Sequence, residues 1–219
     1  LAKAYNQNVW ESMPIIPFNI LPIEKSTRLS KQNNKSISLL TISVLRKLKG
    51  THYILLAVHS LLHQKRKSFN SLHLNIVGDG EHKEFLDQEI SRLNIEEYIT
   101  FHGYIDNPEK LAEFYMNSDI FVFHSFHEGH PRVLDEAVIF RLPIIAANLP
   151  GIKNKFKHGH TALLFEPGSH LELADCIQEL IENRELSNHL ADNAANKYRY
   201  CFEFRSAAEQ HAALLKTVV

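Results

Sequence analysis

The sequence predicts an α/β fold, with an open parallel sheet of about six strands and helices on both faces of that sheet. Two observations support this prediction. Six short apolar runs of strand length recur between residues 36 and 165, and stretches with helical spacing separate most of them. Alternation of strand and helix is typical of a parallel sheet, since the crossover helices cover its faces and bury them.

The predicted strands are short runs rich in Ile, Leu, Val and Phe, at residues 37–44, 72–77, 99–105, 119–123, 143–147 and 161–165. Helices are predicted after the first three strands. In each of the segments 54–62, 86–93 and 111–115, apolar residues recur at helical spacing and share one face. Each of these faces is expected to pack on the sheet.

A further helix is predicted after the last strand. It opens with Ser169-His-Leu-Glu172, which matches a capping box and directs Ala174, Ile177 and Ile181 inward. Residues 185–199 and 204–218 are predicted to form additional helices, the last of them peripheral.

The amino-acid composition argues against several classes of function. The chain has 219 residues, of which 44% are hydrophobic, and this supports a real core. Its 24 basic and 25 acidic residues balance, so there is no electrostatic case for nucleic acid or for an anionic membrane surface. The apolar runs are too short to span a membrane. Cys176 and Cys201 are too few for a disulfide scaffold, which favours a reduced cytosol.

Three segments are predicted along the chain. Residues 1–35 hold three of the eight prolines between Val9 and Pro22, and are interpreted as the remnant of a preceding N-terminal domain plus a linker. Residues 36–200 are the α/β domain and 201–219 a C-terminal helix. The chain starts without Met or a signal-peptide pattern, so we expect it to be a piece of a longer protein.

The stretch from His124 to Ala137 has the strongest functional signal. It follows a buried strand, passes through a Glu-Gly loop and enters a helix predicted to start near Pro131. The N-terminus of a helix presents unpaired N–H groups and partial positive charge, which suits phosphate. Glu128 and Glu136 would flank an anion held there, and carboxylates suit sugar hydroxyls. This arrangement predicts a nucleotide-sugar site.

A second candidate is the loop after the first strand, because ligands of open parallel sheets bind at the carboxyl ends of strands. Arg46 and Lys49 could neutralise a diphosphate there, and Gly50 would let the backbone approach closely. The alternative is a solvated basic turn, which the loop alone would favour.

The run from Glu128 to Ala137, Glu-Gly-x-Pro-x-x-x-x-Glu-Ala, resembles the signature of retaining glycosyltransferases of family 4, of the GT-B fold class. The match extends from about Leu39 to about Gln178. The resemblance implies a Rossmann-like donor-binding domain, the C-terminal half of a GT-B enzyme. That enzyme would be metal-independent and would transfer a sugar with retention from a nucleoside-diphosphate sugar, UDP- or GDP-linked, to an acceptor hydroxyl in polysaccharide or glycolipid biosynthesis.

The resemblance also implies roles for the residues around the Glu-Gly loop. Glu128, next to Gly129, would contact the donor sugar, and Glu136 would bond the ribose hydroxyls. Backbone N–H groups of Val133 and Leu134 would meet the diphosphate. His130 stands where the family most often has Phe.

For the other strand ends, the resemblance places Lys49 firmly in the family's Lys-Gly pair, whereas Arg46 is displaced from the usual arginine position. It puts the loop with Gly78 and Gly80 beside the donor and Tyr104 nearest the base. Each has a plain structural alternative. A Gly-x-Gly is often an ordinary strand-to-helix turn, and a strand aromatic is often part of the core.

Other functions are weighed against this one. A metal site is a weaker interpretation of His124, His127 and His130, because no Cys or carboxylate cluster completes the set, and structural or surface roles are preferred. No cofactor is expected beyond the donor substrate. The alternatives are a non-catalytic nucleotide-sugar-binding module and a nucleotide-sugar epimerase of the same fold.

The expected partners are the donor, the missing N-terminal domain, and a saccharide or lipid-linked acceptor, with no nucleic acid. The expected location is the cytoplasm, and any peripheral contact with the inner face of the membrane would reside in the missing half.

Overall fold

The computed structural model describes residues 36–63, 69–129 and 131–197. Their centre is a six-stranded sheet in the order β3-β2-β1-β4-β5-β6, and every neighbouring pair is parallel. The strands are β1 (Ser36–Ile42), β2 (Ser71–Val77), β3 (Ile99–Gly103), β4 (Ile120–Phe123), β5 (Ile144–Ala147) and β6 (Leu163–Phe165). The predicted open parallel sheet of about six strands is confirmed.

The strand order reverses at β1, which lies between β2 and β4. Leu39 pairs with Leu74 on one side and with Ile120 on the other. The chain moves outward from β1 to β3, then returns to β4 and moves outward in the opposite direction. Loops after β1 and β4 therefore leave in opposite directions, and such a switch point opens a crevice at the carboxyl edge of the sheet.

Helices connect the strands and cover both faces of the sheet. They are α1 (Thr51–Leu62), α2 (Lys83–Leu93), α3 (Pro108–Asn117), α4 (Arg132–Ile139), α5 (Pro150–Lys153) and α6 (His170–Glu182), with residues 184–197 also helical. Right-handed crossovers place α1 and α2 on one face, where α1 also packs against α6. The same rule places α3 and α4 on the other face, where Tyr115 of α3 stacks on Phe140.

The core follows the hydrophobic pattern closely. All residues of β4 and β5 are buried, as expected for central parallel strands covered on both sides. The three apolar residues predicted to face inward from α6, Ala174, Ile177 and Ile181, are buried.

The cap of α6 differs from the predicted capping box in one bond. The Ser169 side chain accepts from the Glu172 N–H at 3.4 Å, as predicted. The Glu172 carboxylate, however, accepts from the backbone N–H of Glu166 at 2.9 Å. The Ser169 N–H donates instead to the Glu166 carbonyl, also at 2.9 Å. The Glu172 side chain therefore holds the preceding loop and does not complete the capping box.

Several boundaries differ from the sequence-based ones. Strand β1 ends at Ile42, and β3 ends at Gly103. Helix α4 begins at Arg132, with Pro131 as its N-cap residue at φ −74° and ψ 108°. The predicted segments 1–35, 201–219 and 204–218 lie outside the described residues, as does His130. Among the described residues, no helix is long and apolar enough to cross a membrane.

Candidate functional site

The loops after β1 and β4 meet at the switch point of the sheet. The backbone N–H of Phe126, just after β4, donates to the Leu48 carbonyl at 2.9 Å. One residue further along the same loop, the Lys49 carbonyl lies 3.2 Å from Nδ1 of His124. A short 3-10 turn at Lys47–Lys49 ends at Gly50, whose φ of +59° turns the chain into α1. These contacts hold the two predicted site loops together.

Lys49 and Glu128 form an ion pair across this junction, between the Lys49 ammonium and Oε2 of Glu128. Both side chains are largely covered, with 25% and 21% of their surfaces exposed. The predicted cation and the predicted carboxylate, which are far apart in the sequence, are thus in direct contact. Because the pair is partly open to solvent, an incoming anion could compete with Glu128 for the ammonium.

Glu136 lies inside α4 and only 9% of it is exposed. Its Oε2 accepts a hydrogen bond of 2.7 Å from the hydroxyl of Tyr115, on α3. Burial raises the pKa of Glu136 to about 7, although the bond from Tyr115 and the positive charge of Arg132 act in the opposite direction. Burial beside this carboxylate also raises the pKa of Tyr115 well above its usual value. One face of the predicted ribose-binding carboxylate is therefore occupied by the protein itself.

In the first turn of α4, one backbone N–H that was predicted to bind phosphate is bonded within the protein. Leu134 was predicted to offer its N–H to a diphosphate, but this group donates to the Pro131 carbonyl at 3.1 Å. This i→i−3 bond is of the 3-10 type that is common at the ends of helices, and it tightens the first turn of α4. Val133 occupies the second position of the helix, where N–H groups have no partner within the helix.

The backbone of the Glu128-Gly129 pair is packed tightly against α5. A Cβ added at Gly151 would lie 2.2 Å from the carbonyl oxygen of Gly129 and 2.9 Å from that of Glu128. The backbone next to the site carboxylate thus rests directly on α5, and this contact requires glycine at position 151.

Gly78 and Gly80 are explained by contacts within the protein. Gly78 has φ +133°, and a Cβ there would lie 1.9 Å from the Ser43 carbonyl oxygen. A Cβ at Gly80 would lie 2.4 Å from the Leu45 carbonyl oxygen. Both glycines let the loop after β2 pack on the loop after β1, which is the ordinary-turn alternative. Their predicted contact with a donor stays a prediction.

The remaining predicted residues lie along the same edge. Arg46 is exposed at the start of the 3-10 turn. Tyr104 follows β3, at the end of the strand order, and is partly buried. Among residues 36–63, 69–129 and 131–197, no group of three His, Cys, Asp or Glu side chains lies close enough to hold a metal ion.

The sequence favoured a structural or surface role for His124 over a metal site, but the loop contacts of His124 and the bond from Tyr115 to Glu136 were not predicted. His124 is buried with 2% exposed, and its Nε2 accepts from the Gly168 N–H at 3.0 Å. Tyr115 lies on the apolar face of α3, where a core aromatic gives the same pattern. A signal for His124 was its place at the carboxyl end of a buried strand, where side chains often reach a ligand site.

An open parallel sheet with a charged pair at its switch point defines a Rossmann-like α/β domain, a class of fold in which ligands bind at the carboxyl edge of the sheet. Residues 23–197 match the model of the family described as glycosyl transferases group 1. The chain belongs to this family. The family match favours a transferase over the epimerase alternative.

Individual relatives agree with this assignment. An uncharacterized glycosyltransferase of Haemophilus influenzae is 35% identical over 179 residues, which cover 81% of this chain and 47% of the relative. N-acetyl-alpha-D-glucosaminyl L-malate synthase of Bacillus anthracis is 28% identical over 196 residues, covering 88% of this chain and 49% of that protein. The chain therefore spans about half the length of these curated relatives.

Among solved structures, Anabaena Alr3699/HepE in complex with UDP-glucose superposes with a TM-score of 0.71 and 26% identity. The match covers 91% of this chain and 55% of that one. The fold is thus that of one half of a GT-B glycosyltransferase, as predicted.

Proposed function

We propose that this chain is the donor-binding half of a retaining glycosyltransferase of the family 4 type, with a UDP-sugar as the first candidate donor and a GDP-sugar as the second. The observation that supports this most is the contact between Lys49 and Glu128 at the switch point of the sheet. It puts a cation suited to a diphosphate beside a carboxylate suited to sugar hydroxyls, shortly before α4 begins.

The choice of UDP rests on similarity. The related HepE structure contains UDP-glucose, and the Bacillus anthracis relative is named for an N-acetylglucosaminyl product. We therefore place a UDP-hexose or UDP-N-acetylhexosamine first. The acceptor is a saccharide or a lipid-linked sugar, in polysaccharide or glycolipid biosynthesis.

The chemistry follows from where charge develops. As the bond between the anomeric carbon and the diphosphate breaks, negative charge grows on the leaving group, and fixed positive groups at that position lower the barrier. Lys49, with Arg46 beside it, and the N-terminus of α4 supply this charge, so no divalent cation is required. The acceptor oxygen bonds to the same face of the anomeric carbon, and its proton leaves with the diphosphate. Glu128 orients the sugar and Glu136 accepts from the ribose hydroxyls.

The other half of the cleft is assigned to an N-terminal domain, because the chain spans about half of its relatives. That domain would supply the acceptor site. The present chain should accordingly bind the donor, while transfer should be weak or absent until the other domain is restored.

The binding proposal is tested by calorimetry with UDP and GDP on three variants. Lys49→Ala and Glu136→Ala should each weaken UDP binding about tenfold, the loss expected for one charge-assisted hydrogen bond. Arg92→Ala is the matched control, since Arg92 pairs with Glu89 on the last turn of α2, at the opposite edge of the sheet. Unchanged UDP affinity in both site variants would remove the assignment.

Transfer is tested on the full-length enzyme with UDP-glucose and a sugar acceptor. NMR of the product's anomeric proton should show the donor's configuration, and EDTA should leave the rate unchanged. Donor binding with neither transfer nor hydrolysis would favour the non-catalytic module.

A further inference from the structure

His124 connects three loops at the carboxyl edge of the sheet. It follows β4 directly and is buried, with 2% exposed. Its Nδ1 lies 3.2 Å from the Lys49 carbonyl, in the loop after β1. Its Nε2 lies 3.0 Å from the N–H of Gly168, in the loop after β6.

These contacts select one tautomer of the imidazole. Because the Gly168 N–H donates to Nε2, that nitrogen must be the unprotonated acceptor. The ring proton therefore sits on Nδ1 and donates to the Lys49 carbonyl. Burial lowers the pKa of His124 to about 4, so the ring stays neutral and both hydrogen bonds persist at physiological pH.

The surroundings fix the ring itself. Tyr53 of α1 stacks on it, with ring centroids 5.0 Å apart and planes 11° from parallel. On the side of the 3-10 turn, a Cβ at Gly50 would lie 2.2 Å from Nδ1, so only glycine leaves room for the ring. His124 is thus held by packing as well as by hydrogen bonds, and a shift of the ring would move the Lys49 backbone.

We propose that His124 is a positioning residue for Lys49: its Nδ1–H holds the Lys49 carbonyl so that the ammonium reaches Glu128 at the diphosphate end of the site. This inference rests on the proposed function for the role of Lys49. His124 supplies no charge and touches no substrate in this scheme. Its effect should therefore be confined to the part of the ligand that Lys49 binds.

Two substitutions separate positioning from support of the fold. His124→Phe keeps an aromatic ring on Tyr53 but removes both hydrogen bonds. His124→Asn keeps a donor near the Nδ1 position and should rescue most of the loss. By calorimetry, UDP affinity should fall about tenfold in His124→Phe and at most about threefold in His124→Asn, as expected for one hydrogen bond. Uridine, which lacks phosphates, should bind all three proteins equally.

A double-mutant cycle completes the test. In a Lys49→Ala background, His124→Phe should cause no further loss of UDP affinity, because the group it positions is gone. Equal losses for UDP and uridine, or an undiminished loss in the Lys49→Ala background, would overturn the proposal.

A measurement without ligand keeps this inference separate from the proposed function. Nitrogen-15 NMR of the wild-type imidazole should show a protonated Nδ1 and an unprotonated Nε2 at pH 7. The opposite tautomer would overturn the positioning role even if UDP binds. Absence of UDP and GDP binding in the wild type, with the expected tautomer, would overturn the assignment of Lys49 to a diphosphate and the proposal with it.

Discussion

Glu136 offers a quantitative test, because its carboxylate is buried and accepts a hydrogen bond from the Tyr115 hydroxyl. The perturbation is Glu136→Gln, which keeps an acceptor for the Tyr115 hydroxyl and removes the charge. The pKa of Glu136 rises from 4.5 to about 7 in the folded protein. A difference of about 2.5 pKa units corresponds to roughly 3 kcal/mol between the two protonation states.

The sign follows from proton linkage. The folded protein holds this proton more tightly than the unfolded chain, so the free energy of unfolding includes a contribution that is fully present below pH 4.5. That contribution is lost as the pH rises through about 7. Glutamine does not titrate. The variant should therefore be more stable than the wild type by less than about 1 kcal/mol at pH 5 and by about 3 kcal/mol at pH 8.

The assay is urea unfolding followed by circular dichroism at pH 5, 6, 7 and 8. The matched control is Glu113→Gln, the same substitution at an exposed position of α3. Other titrating groups are shared by both proteins and cancel in the difference. A difference between Glu136→Gln and the wild type that stays constant from pH 5 to pH 8 would refute the reasoning.

Three further predictions concern the same region. UDP-glucose should bind about fivefold more weakly at pH 6 than at pH 8, because Glu136, with a pKa of about 7, is then mostly protonated and accepts more weakly from the hydroxyls; calorimetry on Glu136→Gln should show no such slope. Tyr115→Phe should raise the pKa of Glu136 further and cost about 1.5–3 kcal/mol in urea unfolding at pH 8, with little loss at pH 5. Gly151→Ala should lower the unfolding free energy by about 1–3 kcal/mol. Its Cβ would meet the Gly129 carbonyl, whereas Gly129→Ala, which meets open space, should cost less than half as much.

The sheet could be predicted because the same sequence pattern, a short apolar run followed by helical spacing, recurs along the chain. Each strand is a short apolar run, and apolar residues recur at helical spacing in α1, α2, α3 and α6, so several separate segments indicate one architecture. The contact between Lys49 and Glu128 could be predicted for a related reason. Both residues follow parallel strands, and the carboxyl ends of such strands lie at one edge of the sheet.

Side-chain partners across the fold could not be predicted in the same way. Tyr115 has the spacing of a core aromatic, and nothing local distinguishes a tyrosine that donates to Glu136 from one that packs on Phe140. The Gly-x-Gly of residues 78–80 was equally ambiguous, because approach to a ligand and approach to another backbone both require a missing Cβ. Helix α4 begins one residue late because Pro131 serves as its N-cap, a position the sequence does not separate from the first helical one.

The glycine contacts at the carboxyl edge of the sheet limit which amino-acid substitutions this protein tolerates. At positions 78, 80 and 151 the neighbouring atom is a carbonyl oxygen of another loop, and a peptide group cannot swing aside as a leucine in the interior can. Even alanine, the smallest replacement, would force whole segments apart at these three places. Substitutions should therefore accumulate most slowly at the carboxyl edge of the sheet, whereas the hydrophobic core tolerates exchanges between side chains of similar volume.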